Sequence, residues 1–281
     1  MKHAILVVTL LLYASAAQAQ KVLFPYEENF AWQVKQIDEF MDRFNNADYT
    51  PIRQYVKDQY AIDDVSRTDV LRSLFNLEKK DWNRQNIVRF LNEVSDSLPP
   101  PYLDFYDHDW YAELRCQGMQ QGKKVFFTLV LSIELDEKTG GSRWIINSAQ
   151  ADFLPTATPE GLAFAVDETY DVSKTLQPTS FGTDFMNLVD ALKDTAHLES
   201  YVISGAVDQP LTAFLNQLYR RELTFRQVDH IVYHFLQVDG WGFQVQDFHR
   251  ATTNSGWLIN GLLPISETEK ENYRRNILHL P

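Results

Sequence analysis

The chain holds a single cysteine, Cys116, in 281 residues. No intramolecular disulfide can form, and a cysteine-based zinc site cannot be assembled. Cys116 lies inside YAELRCQG and reads as a small buried hydrophobe. Basic residues are scarce beside acidic ones, 26 against 38, which leaves a formal charge of −12. That balance argues against nucleic acid or an anionic membrane surface as partner. After the first twenty residues, no apolar run is long enough to cross the roughly 30 Å of bilayer hydrocarbon. The familiar catalytic signatures are missing too: there is no G-x-S-x-G, H-E-x-x-H, P-loop or dinucleotide fingerprint. Neither a catalytic residue nor a cofactor is assigned.

What is present begins with MKHAILVVTLLLYASAAQAQ. Lys2 and His3 make a short basic start, Ala4 to Ala16 an apolar run, and Ala17-Gln18-Ala19 a small-x-small cleavage site. This pattern predicts a secretory signal peptide over 1–19, removed after Ala19. The apolar run is too short for a membrane anchor, and no cysteine follows it to carry a lipid. The expectation is a secreted or periplasmic protein of about 262 residues, a length that suits two ordinary domains. With 44% hydrophobic and 13% aromatic residues, a core can form without disulfides.

Two stretches resemble each other: GSRWIINS (Gly141 to Ser148) and NSGWLING (Asn254 to Gly261). Trp144 and Trp257 differ by 113 positions. Working backwards, Phe127-x-Leu129 resembles Phe243-x-Val245 at an offset of 116, and Tyr111-x-x-Leu114 resembles Tyr233-x-x-Leu236 at 122. Phe90-Leu91-Asn92 matches Phe214-Leu215-Asn216 at 124. The offset changes only between elements, where loops tolerate deletions. One unit built twice is expected, over 20–154 and 181–265, with a linker at 155–180 and a polar tail at 266–281.

Each unit reads as helices followed by three strands. Phe30, Val34, Ile37, Met41 and Phe44 form an apolar stripe that predicts a helix from Glu28 to Asn46. Further helices are expected at 68–77, 86–98 and 183–197, and one after Pro210. KVFFTLVLSIEL alternates as a half-buried strand, Thr139-Gly140-Gly141 turns it into RWIINSAQADFL, and WYAELRCQ pairs on its other side. HIVYHFLQV, GFQVQDFHRA and GWLINGLLPI are the second set of strands, and the tail after Ile265 is a peripheral helix.

Helices first, then a three-stranded meander with a Trp-Ile/Leu-Ile-Asn strand, resembles the cystatin-like α+β arrangement of NTF2-like domains. The chain also looks like the tandem proteins of this fold that some bacteria secrete. The resemblance implies an α+β fold of two units, each with helices packed on its own curved antiparallel sheet of three to four strands. It does not choose a function, because such domains serve as hydrolases, isomerases, binding pockets and dimerisation modules.

Strand parity picks out the candidate site. The even offset of 116 puts Asp247 where the first unit has Leu131, and His249 where it has Ile133, so an apolar face turns polar. His230 and His234 lie four apart on the neighbouring strand and share a face. Asp247, His249, His230 and His234 are thus the candidate ligand-binding residues. They allow acid–base work, or zinc ligation by three histidines and an aspartate. They also allow a solvated strand end and a hydrogen-bonded core histidine. If a ligand site exists it is expected in the second unit, whose loops are shorter, while the first unit's sheet is expected to be sealed by its own helices. Tyr106-Asp107-His108-Asp109-Trp110 is a second polar cluster, readable as a metal or glycan contact or as turn and capping groups. The leading functional expectation is a non-catalytic module of the cell envelope that binds a small molecule, peptide or protein. The alternative is a SnoaL-like enzyme using a His/Asp acid–base pair.

Overall fold

The computed structural model describes residues 31–135, 141–154, 175–203 and 209–280. The expected signal peptide, the start of the first helix, the turn at 139–140 and most of the linker lie outside the described residues.

The first half contributes helices α1 (Ile37–Phe44), α2 (Pro51–Tyr60), α3 (Arg67–Ser73) and α4 (Arg84–Asp96), then strands β1 (Trp110–Gln120), β2 (Lys123–Leu135) and β3 (Ser142–Gln150). The second half has a 3-10 turn (Pro178–Thr183), α5 (Met186–Ala191), a second 3-10 turn (Leu198–Tyr201) and α6 (Gln209–Tyr219). Strands β4 (Leu223–Phe235), β5 (Trp241–Phe248) and β6 (Gly256–Pro264) follow, and α7 (Glu267–Asn276) closes the described chain. Among the described residues no helix is long and apolar enough to cross a membrane.

The fold is α+β, with one six-stranded antiparallel sheet in the order β3-β2-β1-β4-β5-β6. The two meanders do not form separate sheets. β1 and β4 pair along their whole lengths, from Trp110 opposite Phe235 to Gln120 opposite Leu223. Each would otherwise present an open row of backbone donors and acceptors.

Helices α1, α4 and α6 are exchanged between the halves, while α5 stays against β4 of its own half, which corrects the expectation that each sheet is sealed by its own helices. Phe40 of α1 stacks on Phe235, Phe44 on Phe243, and Phe90 of α4 packs edge-on against Trp241. These are second-half strands. In return Phe214 of α6 packs on Phe127 of β2, and Phe185 meets Trp144 of β3 edge-on. The sheet's two outer strands are paired in the same reciprocal way. Val34 and Phe75 bridge to Gly256 and Ile259 of β6, while Leu176 and Val202 bridge to Trp144 and Ile146 of β3. One hydrophobic core runs through both halves.

The stripe from Phe30 to Phe44 does not make one helix. Arg43 is fully buried and its guanidinium donates to the backbone carbonyls of Ala31, Trp32 and Gln33, while Glu39 holds its charge at 2.7 Å. Those carbonyls would be helix acceptors in an unbroken helix. Val34 runs extended beside β6 instead, donating to Ser255 O and accepting from Trp257 N. The helix expected at 183–197 is likewise shorter. Asp184 and Phe185 are both left-handed, at φ 49° and 56°, which sets the Phe185 ring against Trp144. β4 begins seven residues earlier than HIVYHFLQV suggests, at Leu223 rather than His230.

The tail helix α7 docks on the sheet's other face. Ser266 and Glu269 form a capping box at its start. Arg274 clamps Asp109 at 2.6 and 3.1 Å, and Leu278 is buried with Tyr111, Val130 and Leu236.

Candidate functional site

β4 and β5 pair over only a short ladder, Val232 to Phe235 against Phe243 to Gln246. Past it β4 continues alongside β1, while β5 follows β6. The sheet therefore parts, and a cavity of about 250 Å³ opens in the wedge. A register shift in β4 at Asp229, between Val228 and His230, lies on its wall. Ile231 and Trp257 supply apolar lining, and Asp184 closes the cavity from the end of the 3-10 turn.

Asp247 sits opposite Trp257 and is in phase with Phe243 and Val245, whose side chains are in the core. It is on the helix-covered face, as is Leu131, so the even-offset alignment has the right parity. Its side chain is 29% exposed. Burial pushes its carboxyl above the usual range, nearby Asp184 adds to the effect, and His249 opposes it. His249 Nε2 is 3.2 Å from Asp247 Oδ2. However, β5 ends at Phe248, so His249 lies beyond the strand and its side chain is 87% exposed. His230 is on the same face of the sheet as His234, opposite Arg115 and away from Asp247, and it reaches the lining of the cavity only because the sheet parts there. Burial, then Arg115, lowers its pKa.

His234 is not part of this site. It faces the other side of the sheet, fully buried beneath α7. Its Nδ1 lies 2.8 Å from the Tyr273 hydroxyl, which also accepts from Gln244. Its Nε2 is 3.2 Å from Glu113 Oε2 but off the line of a good hydrogen bond. The contact holds the Glu113 carboxyl below its usual range. Because His234 is separated from Asp247 by the sheet, the zinc set of three histidines and an aspartate is not brought together. Among the described residues no group of three or more His, Cys, Asp or Glu side chains is arranged to hold a metal ion.

Sequence reasoning missed Asp184 and Asp229. Asp is among the few non-glycine residues that adopt the left-handed region readily, and that preference was the available signal for Asp184. The YDHDW cluster behaves chiefly as turn and capping groups: His108 N donates to Asp107 Oδ1, and Asp109, at φ 68°, anchors Arg274. Cys116 is buried, and burial raises its thiol pKa well above the ordinary value, as befits an inert side chain.

The wedge thus offers three carboxylates and two imidazoles around a small, partly apolar cavity. No protein-family model, curated protein or solved structure matches the chain.

Proposed function

We propose that the protein is a non-catalytic binding module, exported after cleavage behind Ala19, whose wedge takes a small ligand bearing a primary ammonium or amidinium group. One observation carries this reading. Asp247 is held half-buried where the sheet parts, with Asp184 and Asp229 beside it in the lining. A carboxylate kept short of water gains most from a cationic hydrogen-bond donor. Acid–base catalysis is less well supported, because the imidazole partnering Asp247 is almost wholly in solvent, where a proton transfer gains little from the protein.

We further propose that the two halves are copies of one NTF2-like unit. The mirrored strand order and the reciprocal bridges from Val34, Phe75, Leu176 and Val202 support that history.

Calorimetric titration with small amines and guanidines tests the binding reading. Saturable binding that Asp247→Asn abolishes is expected. Absence of binding across the series, or binding indifferent to that substitution, rejects it. The SnoaL-like alternative rests on the 3.2 Å contact between Asp247 and His249. It requires turnover that His249→Gln removes, whereas the binding module tolerates that change.

A further inference from the structure

We infer that a second cavity, on the far side of the 3-10 turn at Pro178–Thr183, binds a small quaternary ammonium compound. This groove of about 330 Å³ runs between α1 and the segment before β1. Its floor is apolar: Met41, Leu103 and Phe181 are buried there. Its walls are aromatic, and two of the rings are held out to solvent, Tyr102 at 66% and Tyr106 at 53% exposed. Phe105 stands edge-on to Tyr106, with centroids 5.2 Å apart.

Charge then selects the occupant. Asp38, Asp42 and Asp104 line the groove, and among the described residues no lysine, arginine or histidine lines it. Asp42 accepts from the Tyr49 hydroxyl at 2.7 Å, which helps push that phenol up to about 12. Asp104 Oδ1 accepts from the backbone of Tyr106. Burial, with Asp42 nearby, raises the Asp38 carboxyl. Carboxylates that no cation among the described residues pairs with, set beside exposed aromatic faces, attract a weakly hydrated cation, because the ring quadrupole and the carboxylate act on it together. A sugar would use the rings but has no need of three charges.

The groove is also built in advance. Asn45 donates to Leu103 O and accepts from Leu103 N, both at 2.8 Å. Gln237 donates to Asp104 O at 2.8 Å and accepts from Asp104 N at 3.2 Å. Gln237 also donates to His108 O at 2.8 Å, so the aromatic segment is tied down at Leu103 and Asp104 and again just past Tyr106 before any ligand arrives, which lowers the ordering cost of binding.

Calorimetry of the full chain with choline, and with its neutral isostere 3,3-dimethyl-1-butanol, tests the assignment. Choline should bind saturably and weaken with added salt, and the isostere should bind about tenfold less well or not at all. Tyr102→Leu and Asp38→Asn should each weaken choline several-fold while circular dichroism stays unchanged, since Tyr102 is exposed. Asp247→Asn should leave choline binding intact, which separates this groove from the wedge. Equal binding of the isostere, absence of choline binding, or cellobiose binding in its place would overturn the proposal. So would choline binding that is lost in Asp247→Asn and kept in Tyr102→Leu.

Discussion

Asn147 and Asn260 are each the residue that the sheet skips. Val130 pairs with Ser148 and Leu131 with Ile146, passing over Asn147; Gln244 pairs with Gly261 and Val245 with Ile259, passing over Asn260. Both side chains donate to the neighbouring strand, Asn147 to Ser132 Oγ at 2.9 Å and Asn260 to Gln246 Oε1 at 3.1 Å. The shared Trp-x-Ile-Asn motif is thus a strand whose pairing is interrupted by a bulge at the asparagine and resumes beyond it. Asn147→Ala, which removes one hydrogen bond, should cost about 1 kcal/mol in urea unfolding. Deleting Asn147 leaves Leu131 paired with Ile146 and Val130 with Ser148, so the ladder becomes regular with side-chain parity kept, and the variant should still fold with native near-ultraviolet circular dichroism. A deletion variant that fails to fold would contradict the bulge.

Gly256 has φ +84°, and a Cβ placed on it would lie 1.9 Å from the carbonyl oxygen of Val34. The backbones at this crossing tolerate no side chain. Gly256→Ala should cost about 2–4 kcal/mol, combining left-handed strain with a backbone clash. Gly240, also at positive φ but with nothing near its Cβ, should lose only about 1 kcal/mol as alanine. Equal losses at the two sites, measured by denaturant midpoint, would argue against the Val34 crossing.

Glu113 titrates below the ordinary carboxylate range, chiefly because of His234. A folded-state pKa below the unfolded value means stabilisation that is complete above the unfolded pKa and lost as pH falls through the folded one. Glu113→Gln should therefore cost about 1 kcal/mol at neutral pH. The cost should vanish in acid, below the folded-state pKa of Glu113. Thermal unfolding of both proteins across that acidic window checks it.

Asp247 has the opposite sign, because burial raises its carboxyl above the unfolded value. Its ionised form opposes folding above the folded pKa, and the penalty disappears as pH falls through that value to the unfolded one. Asp247→Asn should stabilise the protein by about 0.5–1 kcal/mol at neutral pH, with no gain in acid. The lost contact to His249 subtracts little, since that imidazole is exposed. Destabilisation at neutral pH would show instead that the pair is structural.

Alternation made β2 legible, since Phe127 to Ile133 mark a buried face at every second position, and the internal resemblance carried that reading to the other strands. Alternation also put Asp247 in phase with Leu131, without saying which face that was, and His230 and His234 on a common face. What it left out was the relation between strands. The stretch LTFRQVD breaks alternation at the Asp229 bulge, so the first half of β4 was hidden, and with it the wedge. Nothing local reveals that Arg43 would take the carbonyls of Ala31 to Gln33 and stop a helix. Nor does an apolar stripe on α1 say which of two similar meanders it will cover, because both offer aromatic faces of the same kind.

The exchange of helices means that the covalent link between residues 154 and 175 does not decide what holds the molecule together. A protease cutting there would free two fragments, each roofing the other's strands, and they should stay clasped as a non-covalent pair. Expressed alone, either fragment would have bare aromatic rings where its partner's helices belong, and an open long edge at β1 or β4. Mixed, the two should reconstitute each other. Neither half can melt first, so heat should meet a single cooperative transition.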